Sequence, residues 1–169
     1  MPNSESSAEM SLTRVIADAG PLIAFGRIGR LDLLPTVLGE VLVPSPVIRE
    51  CLALPLRPGG SAIQAAQKQG LLVERAVVEQ PAFIGLDVGE SAALRLAQSL
   101  DVPLLMDERA GRAVAHNLGI AVIGSAGVLL VAKQRSLIPS VAPLLLAMRD
   151  NGYRFSDSLF TGILAKAGE

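Results

Sequence analysis

At 169 residues, half of them hydrophobic and 18% charged, the chain has the size and composition of one domain able to bury its own core, which excludes general disorder. A single cysteine, Cys51, excludes an internal disulfide framework. Fifteen basic residues against sixteen acidic ones leave a net charge of −1, which excludes a polycationic nucleic-acid coat but leaves room for a few local phosphate-binding arginines. Four Phe, one Tyr and no Trp argue against a base-stacking platform.

Residues 1–11, MPNSESSAEMS, are polar and lack the basic and apolar regions of a signal peptide; they read as a flexible tail before a single domain at 12–169. No apolar run reaches the roughly 18 residues of a membrane span. The best, Ile120 to Ala132, is interrupted by Gly124, Ser125 and Gly127. A cytoplasmic protein with no membrane partner is expected.

Beyond the tail, short apolar runs alternate with helical patterns. Val15-Ile16-Ala17 predicts a strand ending at Asp18, followed by helical pieces at Leu22 to Ile28 and Leu31 to Leu38, broken by Gly29 and Pro35. Glu40 to Val43 predicts a second strand stopped by Pro44. Ser45 then reads as the N-cap of a helix reaching Leu54, with Pro46 in its first turn and Pro55, Pro58, Gly59 and Gly60 as breakers. Ser61 to Gln69 predicts a helix and Leu71 to Arg75 a strand. After a loop at Gln80 to Leu86, Asp87-Val88-Gly89-Glu90 has the form of a capping box opening a helix to about Leu100. Val102 to Met106 and Ile120 to Ile123 predict strands, with a helix at Arg109 to Leu118 between them. Helices follow at Ser125 to Lys133, Val141 to Met148 and Ser158 to Lys166. Strands apolar on both faces and separated by helices predict an α/β fold, a parallel sheet between two helical layers.

In such a sheet, ligands sit at the carboxyl ends of the strands. Asp18 ends the first strand, Glu50 lies in the first turns of the helix after the second, Glu90 opens a helix, and Asp107-Glu108 ends the strand that follows. Parallel strands would gather these carboxylates along one edge, where they repel one another unless a cation sits among them. Hard oxygen donors suit Mg²⁺ or Mn²⁺, which activate water and stabilise a phosphodiester being displaced in line. The residues alone therefore point to a metal-dependent phosphodiester hydrolase. Each acid also has a purely structural alternative: Asp18 and Asp107-Glu108 as helix caps, Glu50 as a solvated helix residue, Glu90 as the third residue of its capping box.

Val15-Ile16-Ala17-Asp18-Ala19-Gly20-Pro21-Leu22-Ile23, Val47-Ile48-Arg49-Glu50, Leu86-Asp87-Val88-Gly89-Glu90-Ser91-Ala92-Ala93, Leu104-Leu105-Met106-Asp107-Glu108-Arg109 and Gly119 to Leu130 with Ala132-Lys133 together resemble the ordered motifs of PIN domains. The pattern is similar to a prokaryotic PIN-like family of uncharacterised, predicted nucleic-acid-binding proteins, from about Arg14 to Glu169. The resemblance implies a three-layer α/β/α PIN-like fold with a central parallel sheet. It also implies metal-dependent endoribonuclease chemistry with Asp18, Glu50, Glu90 and Asp107 as both catalytic and metal-binding residues. RNA as substrate, the toxin half of a toxin–antitoxin pair with a cognate antitoxin, and a homodimer are further implications.

The sequence departs from the family pattern at three places. Gly20 replaces the usual Ser, Leu105 stands where a hydroxyl residue is common, and Arg109 stands where an acid or amide is common. Glu108 could replace that last group, but a neighbour at a strand end is expected to point the other way. Groups of this kind orient metal ligands, so the alternative is a degenerate PIN-like domain, weak or inactive, that binds RNA or a protein partner without cutting.

Arg109 and Arg112, one helical turn apart, are candidate phosphate-binding residues, with a solvated helix face as the alternative. His116 reads as a surface or packing residue and Cys51 as a small buried hydrophobe. Gly124-Ser125-Ala126-Gly127 lacks the Lys and spacing of a P-loop and reads as a tight strand-to-helix turn. Lys133 admits a third reading, a receiver-like signalling domain, although Asp18 lacks an acidic neighbour. Pro139 to Ala167, with Tyr153-Arg154-Phe155 between two amphipathic helices, reads as packing or a dimer face.

Overall fold

β-Branched and aliphatic residues extend Arg14–Ala17 into β1, whose last three side chains are buried. This strand lies at the centre of the sheet. The computed structural model describes residues 13–53 and 59–169; the expected tail at 1–11, the helix end at Leu54 and the breakers Pro55 and Pro58 lie outside them. Among the described residues five parallel strands run in the order β3-β2-β1-β4-β5. Besides β1 these are β2 (Glu40–Pro44), β3 (Val73–Arg75), β4 (Leu104–Leu105) and β5 (Val122–Ile123). The register sets Arg14 opposite Glu40 and Ala17 opposite Leu105.

Nine helices occupy the described residues: α1 (Ala19–Arg27), α2 (Leu33–Leu38), α3 (Ser45–Leu52), α4 (Gly60–Lys68), α5 (Val88–Leu100), α6 (Arg109–Asn117), α7 (Ser125–Gln134), α8 (Ala142–Asp150) and α9 (Asp157–Ala167). The two-residue strand period sends alternate side chains to two cores. Ile16, Leu42, Leu104 and Met106 face Ala93, Leu94 and Ala97 of α5 and Ala115 of α6. Val15, Ala17, Val41, Val43 and Leu105 face the larger core built with Leu22, Phe25, Leu34, Ile63, Val128, Leu145 and Ile163. The three-layer α/β/α architecture follows from that alternation. Cys51 is buried in the larger core.

Several expected boundaries shift. The fourth and fifth strands shrink to two residues each, because only Leu104–Leu105 and Val122–Ile123 find ladder partners. Strand β3 is exposed along its length, as an edge strand can be, and does not share the apolar character of the central strands. Pro35 lies within the first turn of α2, where a missing N–H costs no helical bond, and so does not break it. Gly60 opens α4. Ser45 is the first helical residue of α3 and not its cap; its hydroxyl donates to the carbonyl of Arg75 at 3.4 Å. Among the described residues no helix is long and apolar enough to cross a membrane.

Candidate metal centre

The strand order reverses between β1 and β4, and the helices that follow them, α1 and α6, pack on opposite faces of the sheet, which opens a crevice at the strands' carboxyl ends. A cleft of about 520 Å³ occupies this place. All four expected acids, Asp18, Glu50, Glu90 and Asp107, line it, joined by Asp87 and Glu108 and by Arg27, Arg109 and Arg154.

Asp18 leaves β1 at the N-cap position of α1, but its side chain makes no capping bond, so the cap reading does not account for it. Its Oδ1 is buried and has no hydrogen-bond partner among the described residues. Burial pushes the Asp18 carboxyl up to about 7; Glu90, Glu50 and Asp87 add repulsion, and the Ala19 N–H opposes the shift. An unsatisfied anionic oxygen at the base of an acid-lined cleft carries a desolvation cost that a cation would relieve.

Glu50 reaches the cleft from the last turns of α3, not the first ones, because the helix ends at Leu52. Its Oε2 packs on α5: a Cβ placed on Gly89 would stand 2.9 Å from that oxygen. Gly89→Ala adds helix propensity, worth up to about 1 kcal/mol, yet pushes against the Glu50 carboxylate. Its expected signature is an unchanged or higher melting temperature with divalent-cation affinity lowered several-fold. Calorimetric Mn²⁺ titration beside thermal denaturation checks this, and equal affinity in mutant and wild type refutes it.

Glu90 has two tasks. Its N–H donates to Asp87 Oδ1 at 2.7 Å, and its Oε2 accepts from the Asp87 N–H at 2.9 Å, which completes the capping box. Burial raises its carboxyl above the ordinary range, Asp87 and Glu108 add to the rise, and the Asp87 N–H opposes it. The capping reading therefore holds, and the same residue still borders the cleft.

Asp107 is held by the start of α7. Its Oδ1 accepts from the Ser125 N–H at 2.8 Å and its Oδ2 from the Ser125 hydroxyl at 2.6 Å. The tight Gly124-Ser125 turn thus has a further role: it fixes a strand-end acid on the neighbouring strand. Glu108 borders the cleft instead of pointing away. Strand pairing ends with the Met106 N–H on the Ile123 carbonyl, so the alternation used to exclude it no longer governs residues 107 and 108. Glu108 takes the N-cap position of α6 without making a side-chain capping bond.

The two candidate arginines part company. Arg109 is exposed and borders the cleft. Arg112 instead donates from Nη1 to the Met106 carbonyl at 3.2 Å and lies under Gly124, bracing the strand end. Lys133 does not border the cleft; it donates to the Ala167 carbonyl and to Glu169. The sheet order also differs from the 2-1-3-4-5 order of receiver-like folds, which removes the signalling reading. His116 is exposed near the end of α6, outside the cleft.

Four cleft residues with charged or hydroxyl side chains escaped the sequence reading as site residues: Asp87, Arg27, Tyr153 and Arg154. Ser125, which supports the site, escaped it too. Asp87 was visible only as a cap. Ser125 follows directly from parallel topology, since it begins the helix after the strand beside that of Asp107. Tyr153 and Arg154 had no local signal, because only the docking of α8 and α9 brings them there.

The donor set is all oxygen, which suits a hard divalent cation. Asp18, Glu50, Glu90 and Asp107 are the residues that would hold one. Among the described residues no three Asp, Glu, His or Cys groups form a ready-made cation cluster. This agrees with the commitments just described: both Asp107 oxygens to Ser125, and one Glu90 oxygen to its own helix start.

A doubly wound parallel sheet with a carboxylate-lined crevice at its switch point defines the class of protein. The chain belongs to the PIN-domain family, whose model matches residues 14–169. PIN domains are typically nucleases. A PilT N-terminus domain protein from the hyperthermophilic archaeon Sulfolobus solfataricus P2 is similar in structure, with TM-score 0.51 and 15% identity over 85% of this chain and 99% of that one. A domain of a functionally unknown protein from Methanocaldococcus jannaschii superposes with TM-score 0.46 and 16% identity, over 66% of this chain and 90% of that one. No curated protein matches the chain significantly.

Proposed function

We propose that the chain is a divalent-metal-dependent endoribonuclease, in which Asp18, Glu50, Glu90 and Asp107 hold Mg²⁺ or Mn²⁺ at the switch-point cleft. The observation that carries this reading is the buried, unpartnered Oδ1 of Asp18 facing other carboxylates. A bound cation would convert repulsion into coordination, lower the pKa of a bound water and stabilise the charge on the displaced phosphate. Arg109, with Arg27 and Arg154 on the same cleft, supplies positive charge for flanking phosphates. The toxin role beside a small antitoxin, and a homodimeric assembly, extend this reading from the family resemblance.

Mn²⁺ titration of the purified protein beside Asp107→Asn, followed by incubation of each with single-stranded RNA of mixed sequence, tests the proposal. The expected result is saturable binding and Mn²⁺-dependent cleavage in the wild type. In the mutant, affinity falls at least about tenfold and cleavage is lost. Binding that survives unchanged in the mutant overturns the site assignment.

The degenerate, non-cutting reading draws on a separate observation: both Asp107 oxygens and one Glu90 oxygen are already hydrogen-bonded within the chain. Gly20, which borders the cleft with open space around it, adds no hydroxyl. RNA bound by the wild type without cleavage at saturating Mn²⁺ would favour this second reading.

A further inference from the structure

The sheet ends on one side at β3, which pairs with β2 alone. The last rung sets Pro44 opposite Arg75, and proline has no N–H to give. The bonds of that rung therefore come from Arg75, whose N–H and carbonyl turn toward β2. Successive residues of a strand turn their backbone groups to opposite sides, so Glu74 presents its N–H and carbonyl outward on an open edge. Residues 76–80 carry the chain past β3, and none of their backbone groups is hydrogen-bonded among the described residues.

Natural sheet edges are shielded by Lys, Pro, a bulge or a covering element. Residues 73–80, Val-Glu-Arg-Ala-Val-Val-Glu-Gln, contain neither Lys nor Pro. Helix α5 packs chiefly on β1, β2 and β4, which leaves this margin of the sheet open. An apolar groove of about 460 Å³ runs between residues 76–80 and α5, lined by Pro46, Val78, Val88, Ala92 and Leu96. Among the described residues, four of the seven large hydrophobic side chains left exposed, Val73, Val78, Ile84 and Val88, fall in this one stretch. Such a concentration marks a surface that another chain covers.

The charges select the occupant. Arg75 and Glu79 are exposed, and neither side chain has a hydrogen bond or ion pair among the described residues. They stand at equal distances before and after Val77. When two copies of one strand pair antiparallel about a two-fold axis, residues equally far before and after the axis face each other on the same side of the sheet. An axis at Val77 sets each Arg75 opposite the second copy's Glu79, a favourable pair made twice, with Ala76 opposite Val78 between them. Neighbouring axes fail. At Glu74, Arg75 or Glu79 a charge meets its own copy, and at Ala76 or Val78 no opposite charges meet. The Val77 axis also uses the outward set of backbone groups, those of Glu74 and, as the strand is continued, of Ala76, Val78 and Gln80.

We propose that residues 73–80 are a dimerisation edge: they pair antiparallel with the same residues of a second copy about a two-fold axis at Val77, which joins two five-stranded sheets into one. The inference is independent of the metal-centre reading, and it gives the homodimeric assembly a surface and a register.

Sedimentation of the full chain over a concentration series, for wild type, Arg75→Glu, Glu79→Arg and the double reversal, tests the charges. Single cysteines test the register, since Cys51 is buried and stays out of exchange. At the axis, Val77 meets its own copy with Cα atoms about 4.5 Å apart, within reach of a disulfide. Val78 and its copy are out of register by two residues, about 8 Å or more apart, beyond that reach. Val77→Cys and Val78→Cys are therefore treated in parallel with oxidised glutathione.

The expected result is a reversible wild-type dimer that each single reversal weakens about tenfold and the double reversal restores to within about threefold. Val77→Cys should link at least about tenfold faster than Val78→Cys. Random collision would give the opposite order, because Val78 is 82% exposed and Val77 is half-buried. A wild type that stays monomeric at every concentration overturns the inference and leaves the edge to a strand of another protein. A dimer that ignores the charge reversals, or that links faster through Val78→Cys, overturns this register and places the homodimer on another face. Mn²⁺ binding is untouched in either case, so failure here is distinct from failure of the metal centre.

Discussion

Asp18→Asn is expected to make the metal-free protein more stable at neutral and alkaline pH while removing its cation binding. The sign follows from the direction of the shift. A carboxyl raised from 3.8 to about 7 on folding binds its proton more tightly in the folded state than in the unfolded one. Stability is therefore full below about pH 4, falls as pH rises through the window between those two values, and stays at its lower level above it. At about 1.4 kcal/mol per pH unit, the ionised Asp18 costs the metal-free fold about 4 kcal/mol at about pH 8. Asparagine removes the charge but still buries an amide, so the net gain should be about 2–3 kcal/mol, or about 5–10 °C in melting temperature for a chain of this length. Thermal denaturation in the presence of a chelator, at about pH 4 and about pH 8, checks this. The mutant should gain at the higher pH and fall about 1–2 kcal/mol below the wild type at the lower, where only the buried amide distinguishes them. Saturating Mn²⁺ should then stabilise the wild type by about 3 kcal/mol at a hundredfold excess over Kd and leave the mutant unmoved. A mutant advantage of equal size at both pH values would show that repacking, and not the charge, is responsible.

That stored cost also explains why so much of the centre was legible in the chain. An acid directly after a buried apolar run has few structural uses, and Asp18 makes no capping bond. Parallel β-α-β topology then brings the strand-end and helix-start acids to one crevice, so order along the chain maps onto position in space. Reading failed where that map does not apply. Glu108 was misplaced because side-chain alternation was carried past the last paired residue. Arg112 was paired with Arg109 from helical spacing alone, although its guanidinium is committed to the Met106 carbonyl. The α8–α9 turn was read as packing because its approach to the cleft depends on contacts spanning long sequence separations, such as Arg27 to Asn151. Helices with broad apolar faces show that they are buried, but not what they are buried against.

The second large effect lies far from the acids, at Gly39. This residue ends α2 and turns the chain into β2 at φ 85° and ψ −143°, a conformation open to almost nothing but glycine. A Cβ there would collide with the backbone carbonyl and hydroxyl oxygens of Thr13. That same carbonyl accepts the Glu40 N–H at 2.8 Å, the first bond between the segments that become β1 and β2. Gly39→Ala therefore strains the turn and pushes on the rung that sets Arg14 opposite Glu40. Backbone strain of about 1–3 kcal/mol and overpacking of about 1–3 kcal/mol combine to an expected loss of about 3 kcal/mol or more. In melting temperature that is a fall of about 6–12 °C. Gly20→Ala is the control: its Cβ would meet nothing within 4 Å and would sit in the first turn of α1, so stability should hold or rise slightly. Urea denaturation of both variants measures the difference, and a Gly39→Ala midpoint equal to that of the wild type would show that the turn relaxes freely. The consequence reaches the site because β1 carries Asp18 at its end and has β2 as one of its two partners. A chain that loosens the first rung of this pairing loosens the strand from which the buried carboxylate is suspended, and divalent-cation affinity should fall together with stability.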